Sequence, residues 1–249
     1  MSKVVHRKDI QRNILMYLSR KFNHSLTVPD RVSVNLTLRC NLKCIMCTTC
    51  YSSPELSLQE IYSIIDQTSD MGVEVFNPLG GEPFMRGDIE EILSYAVQKG
   101  FFVSLTTNGT LISQRRAERI ALIPVDRLHF NFSLDGNQQS NDLIRGEGMF
   151  QRAIRGYQYI READSAAGNS RRKILTNTIL HAANLEHFET VLSEQEALGF
   201  DGVQVLQLFR AADDVPKAAK DMWFTQQQYP ALKALCQRLV ERKLNAEQG

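Results

Sequence analysis

Between Val32 and Leu208 the chain alternates six times between a short β-rich run and a helical stripe. This alternation constrains the fold more than any single residue does. Val32-Ser33-Val34-Asn35-Leu36-Thr37-Leu38 has apolar residues at period two and reads as a strand. Val73–Phe76, Phe101–Thr106, Arg127–Ser133, Lys173–Leu180 and Val203–Leu208 read as the next five. Between them lie helical repeats. Leu58, Ile61, Tyr62 and Ile65 form one, with Ser57 as its N-cap. Ile89, Ile92, Leu93, Ala96 and Val97 form a second, closed by Gly100. Helices are also expected over Ser113–Leu122, Phe150–Glu162 and from Leu185 to Gly199. Strands separated by helices predict a parallel sheet with right-handed crossovers, its ligands gathered at the C-terminal strand edge.

That edge carries the chemistry. Four of the five cysteines fall within Cys40–Cys50, directly after the first strand. Cys40, Cys44 and Cys47 have a CxxxCxxC spacing, which lets three thiolates converge on a soft metal centre. A structural zinc site wants four ligands, usually from two paired knuckles. One tight group suits a [4Fe–4S] cluster with three irons held by the protein. Cys50 leaves a four-thiolate zinc site open as an alternative.

Composition sets the compartment rather than the chemistry. With 249 residues, 43% hydrophobic and 23% charged, the chain can bury a sizeable core. A net charge of +1 points to neither nucleic acid nor an acidic membrane. Bunched cysteines do not form a disulfide framework, and a reducing cytoplasm is expected. No run is long enough for a signal peptide or a membrane-inserted helix. Arg171-Arg172-Lys173 reads as a solvated loop, as does the small-residue segment Asp164–Asn169. The five histidines have no shared ligand spacing and read as surface or element-end residues.

The ordered motifs identify the chain as resembling the radical S-adenosylmethionine (SAM) enzymes. Cys40, Cys44 and Cys47 match the cluster triad, and Gly80-Gly81-Glu82-Pro83 matches the family's GGEP after the second strand. Thr107-Asn108-Gly109 and Ser133-Leu134-Asp135-Gly136 match the segments after strands three and four. Arg145-Gly146 follows at the spacing of the branch that modifies peptides and proteins and carries a SPASM or twitch auxiliary-cluster domain.

The resemblance implies an α/β fold, a partial (β/α)6 TIM-like barrel. It also implies a [4Fe–4S] cluster and SAM as cofactors, with SAM cleaved to a 5′-deoxyadenosyl radical that abstracts hydrogen from a substrate. Gly80 and Gly81 then let the backbone approach the SAM methionine ammonium. Glu82 orients that region or holds the loop, and Pro83 fixes the turn. Ser133 and Arg145 hold the SAM carboxylate, Arg by its bidentate fork. Asn108 and Asp135 are polar contacts near SAM or substrate, although Asp135-Gly136 also reads as a plain turn. Gln207 faces the interior or the outside. One departure is Met46, where the family often has an aromatic residue near adenine; a thioether fills the same space.

Residues 1–31 are expected as an N-terminal helical extension, with a surface helix over Arg7–Phe22 packed on a larger body. Residues 32–210 are expected as the barrel core. Residues 211–249 are expected as a linker and a helix over Tyr229–Leu244, leading to an auxiliary-cluster domain absent from the sequence. The expected partners are a flavodoxin- or ferredoxin-type electron donor and a peptide or small-molecule substrate. Two rivals are a non-catalytic zinc scaffold and a cyclase of the molybdopterin-precursor type.

Overall fold

The computed structural model describes residues 7–47, 54–208, 219 and 222–246. Its six strands are β1 (Arg31–Thr37), β2 (Val75–Gly80), β3 (Phe102–Thr107), β4 (Leu128–Ser133), β5 (Ile174–Leu180) and β6 (Val203–Gln207). All neighbours are parallel and the order is β1-β2-β3-β4-β5-β6. Strands β1 and β6 are the two edges, so the sheet forms a partial, open barrel. The helices are α1 (Arg7–Phe22), α2 (Leu58–Asp70), α3 (Ile89–Gln98), α4 (Gln114–Ala121), α5 (Gln138–Arg145), α6 (Met149–Ala166), α7 (Phe188–Ala197) and α8 (Tyr229–Ala246).

Local chemistry sets the boundaries. Ser57 caps α2 reciprocally: its Oγ accepts from Glu60 N, and the Glu60 carboxylate accepts from Ser57 N at 2.7 Å. Strand β2 lies further along than the sequence pattern predicts, and contains Pro78. Its ladder to β3 stops at Phe76, two residues before the proline, which has no N–H to donate. Helix α5 falls where no helical stripe is expected. Asn137 caps it by accepting from Ser140 N at 3.1 Å, and Gly146 ends it at φ 113°.

The main core lies between the sheet and helices α2, α3, α4 and α6, around Ile65, Phe76, Ile92, Phe130 and Phe132. A second cluster, Leu180, Leu185, Phe188 and Leu235, seats α8 on α7. Arg238–Glu189 and Arg242–Glu196 ion pairs flank that contact. On the expected helix α1, Ile10, Ile14 and Phe22 are half or more exposed, while Leu15 and Leu18 are half-buried.

Of the triplet expected as a solvated loop, Arg171 and Lys173 are exposed, but Arg172 is a buried clamp. Arg172 is 0% exposed. Its Nε and Nη2 each donate to Asp164 at 3.0 Å, and Nη2 also reaches the Ile123 carbonyl at 2.9 Å. Nη1 donates to the Leu128 carbonyl at 3.3 Å. Asp164 belongs to the last turn of α6, which runs three residues into the segment read as a loop and ends at Ala166. Neighbouring Arg171 pairs with Asp201 at 2.7 Å.

Candidate active site at the C-terminal rim

The loop after β1 begins at the rim, and β2 holds it there. Gly81 N donates to Thr37 O at 2.8 Å, and Glu82 N to Arg39 O at 2.9 Å. The chains lie so close that a Cβ on Gly80 would sit 2.1 Å from Thr37 O. One on Gly81 would sit 2.3 Å from Arg39 O. Glycine is therefore required here by the cysteine loop itself. Gly80 also adopts φ 145°, a region L side chains rarely enter.

Glu82 holds the same junction from beneath. It is buried, and its carboxylate accepts from Asn108 N and Thr107 Oγ1, both at 2.7 Å, and from Phe84 N at 3.1 Å. Burial pushes its pKa above the ordinary glutamate value, and these donors only partly offset that. Pro83 opens the single 3₁₀ turn Pro83–Met85 and is buried. Asn108 Nδ2 donates to Asn41 Oδ1 at 3.0 Å, while its Oδ1 accepts from Thr110 N at 2.9 Å. Its amide thus ties the end of β3 to the cysteine loop.

Cys40, Cys44 and Cys47 share one cavity of about 200 Å³ with Met46, Gly80, Gly81, Glu82, Asn108, Ser133 and Arg145. Leu42, Leu79 and Thr106 line it too and were not picked out from the sequence, whereas Thr107 was, in Thr107-Asn108-Gly109. Thr106 and Thr107 end β3 just before Asn108, so the strand-end rule was the signal for them. Asp135 lies behind this lining. Its Oδ2 sits 2.7 Å from Arg145 Nη2, and its Oδ1 accepts from Ile179 N at 2.9 Å. Arg145 Nη1 is 4.0 Å from Cys44 Sγ, and its buried Nε has no hydrogen-bond partner. Burial works against the Arg145 charge, but Asp135 and the Cys44 sulfur outweigh it and raise its pKa. Burial also pushes the Cys40 and Cys44 thiols up. Met46 packs with Ile45 and Ile179 around Ile144. Gln207 is exposed, and Cys50 lies outside the described residues.

These groups fit an iron–sulfur cluster. Three thiols line one pocket, and thiolates are the donor set that such a cluster takes. The orphan Nε of Arg145 leaves guanidinium capacity for an anion beside the thiols. The arrangement fits a thiolate-ligated cluster enzyme, with an incompletely bonded arginine beside the thiols at the rim of a parallel barrel.

Comparison with known proteins names the class. The Radical SAM superfamily model matches residues 34–194, and the chain belongs to that superfamily. It is similar to an AdoMet-dependent heme synthase of Methanosarcina barkeri, with 31% identity over 84% of this chain and 62% of the relative. It is also similar to the mycofactocin maturase MftC of Mycobacterium tuberculosis, with 35% identity over 72% of this chain and 46% of the relative. Among solved structures, Streptococcus suis SuiB bound to its precursor peptide SuiA superposes with a TM-score of 0.72. That match has 19% identity and covers 95% of this chain and 52% of SuiB. The chain spans from about a third to about three-fifths of the curated relatives' lengths. Among the described residues, no helix is long and apolar enough to cross a membrane.

Proposed function

We propose that the protein is a radical SAM enzyme that modifies a peptide, with Cys40, Cys44 and Cys47 holding the cluster. The observation that carries this is the single cavity joining the three thiols to the glycine pair and to the unfilled guanidinium of Arg145. When bound and reduced, the cluster supplies the electron that cleaves SAM and starts hydrogen abstraction. The chain's own residues bind and orient. Arg145 and Ser133 receive the SAM carboxylate, and Asp135 holds the guanidinium in place. The backbone at Gly80 and Gly81 receives the methionine ammonium. Glu82, Pro83 and Asn108 keep these elements in register, and Met46 supplies apolar surface towards adenine. A small flavodoxin- or ferredoxin-type protein is the electron donor.

The fold shared with peptide-bound SuiB supports the peptide reading. Similarity to the heme synthase favours a second reading, a tetrapyrrole substrate. Nothing observed favours the zinc scaffold or the molybdopterin-type cyclase. Anaerobic reconstitution tests the chemistry. The wild-type protein should take up iron and sulfide and, with dithionite, form 5′-deoxyadenosine; Cys44→Ala should do neither. Undiminished 5′-deoxyadenosine from Cys44→Ala, or a colourless zinc protein, would sink the assignment. Mass change in a randomised peptide pool, against conversion of iron-coproporphyrin III, separates the two substrate classes.

A further inference from the structure

The inward face of β5 carries polar groups with nothing to bond. Thr176 and Thr178 point outwards, both donating to Gln195 of α7, and Leu180 packs into the α7–α8 cluster. The alternate set, Asn177 and Ile179, therefore faces the barrel interior, and His181 continues it at the rim. Asn177 is in register with Ser133, which lines the thiol cavity. His181 stands two strand repeats beyond Asn177, past the SAM side of the pocket.

The backbone at His181 is fixed while its ring is left free. Asn184 Oδ1 accepts from His181 N at 2.8 Å, Asn184 N donates to His181 O at 3.1 Å, and Asn184 Nδ2 donates to Ile179 O at 2.8 Å. The residue is only 5% exposed, yet neither Nδ1 nor Nε2 has a hydrogen-bond partner. A buried imidazole without partners is unfavourable and invites a ligand that supplies them. Asp135, the carboxylate paired with Arg145, anchors the same stretch of chain: its Oδ1 accepts from Ile179 N, two residues before the histidine, at 2.9 Å. Burial holds the ring below the ordinary histidine value, so it presents one donor and one acceptor. A peptide amide offers the complementary acceptor and donor; a carboxylate offers only acceptors.

We propose that His181 is a substrate-contacting residue whose imidazole hydrogen-bonds an amide of the substrate at the rim of the barrel, beside the Asp135–Arg145 pair. This rests on the peptide reading above. It assigns the substrate to the rim beyond the thiol cavity, at the end of β5, as Ser133 and Arg145 mark the SAM side within it.

The test uses the cluster-loaded, SAM-bound protein and N-acetylalanine N-methylamide, a minimal peptide-bond probe, followed by saturation-transfer NMR. Wild type should bind the probe. Binding should weaken about tenfold or more in His181→Leu, the loss expected for a buried hydrogen bond, and return in His181→Gln, which keeps a donor and an acceptor. His181→Leu should melt no lower than wild type, because the free protein loses no bond. The proposal is overturned if SAM-cleaving wild type ignores the probe or if the leucine variant binds it equally well. A large drop in melting temperature in both variants would show a structural ring and overturn it too. So would a shift of the iron-coproporphyrin III spectrum that both variants abolish, since that assigns the imidazole to iron ligation. Absence of SAM cleavage in wild type would instead overturn the radical SAM reading beneath it.

Discussion

Arg145 and Arg172 both take a guanidinium out of water, at different places in the barrel, and they are finished differently. Every nitrogen of Arg172 has a partner: the Asp164 carboxylate and carbonyls from the end of α4 and the start of β4. Arg145 has one carboxylate, a distant sulfur and a buried Nε with no partner. Desolvating a charge is tolerable only when its hydrogen-bonding capacity is used. A saturated arginine thus belongs to the fold. An unsaturated one is held ready for something that arrives later.

The largest expected effect falls on the saturated member. Arg172→Ala strands the buried Asp164 charge and should destabilise the protein by about 3–5 kcal/mol. Denaturant titration measures this, and a loss under about 1 kcal/mol would remove the distinction between the two arginines. Next comes Arg145→Lys. It keeps a cation beside Asp135 but loses the fork, so stability should hold while SAM affinity falls by about 1.5–3 kcal/mol. Unchanged affinity in an equilibrium SAM titration would show that Arg145, like Arg172, serves only the fold.

The smallest effects concern two carboxylates that titrate in opposite senses. Glu82, at the rim, has a raised pKa caused first by burial. It holds more protons folded than unfolded, so its contribution declines as pH rises from the ordinary carboxylate range to its folded value. Asp201, paired with Arg161 and Arg171 and accepting from Ile174 N, is held low although burial opposes this. Its contribution is present above the unfolded value and lost as pH falls through the folded one. Denaturation midpoints against pH should therefore lose their decline towards higher pH in Glu82→Gln, and their acid-side fall in Asp201→Asn. The same limb vanishing in both variants would contradict the contrast.

What was readable from the sequence divides along this same line. The parallel strands and the rim placement of the cysteines and glycine pair followed from periodicity and strand-end logic, because each is local, whereas Arg145 came from the family resemblance. The Arg172 clamp was invisible: its partners lie 8 to 52 residues away, and a basic triplet after a polar loop looks solvated. Helix α5 was missed because its caps, Asn137 and Gly146, are informative only once a short helix is suspected. The glycines were read as making room for a ligand; the structure adds the Thr37 and Arg39 carbonyls behind them. His181 passed for an element-end residue because nothing in sequence shows that a ring lacks partners.

The sequential strand order also has a kinetic consequence. Each strand pairs with the one synthesised before it, so no early segment must wait for a distant partner. Every described residue lining the thiol cavity lies between Cys40 and Arg145. These walls thus emerge from the ribosome ahead of β5 and β6, the latter by about 3–12 s at roughly 5–20 residues per second. Metal loading on the nascent chain then becomes possible before the barrel is finished. Ribosome-stalled chains with Arg145 outside the exit tunnel should take up iron and sulfide, whereas chains stalled before β4 has emerged should not.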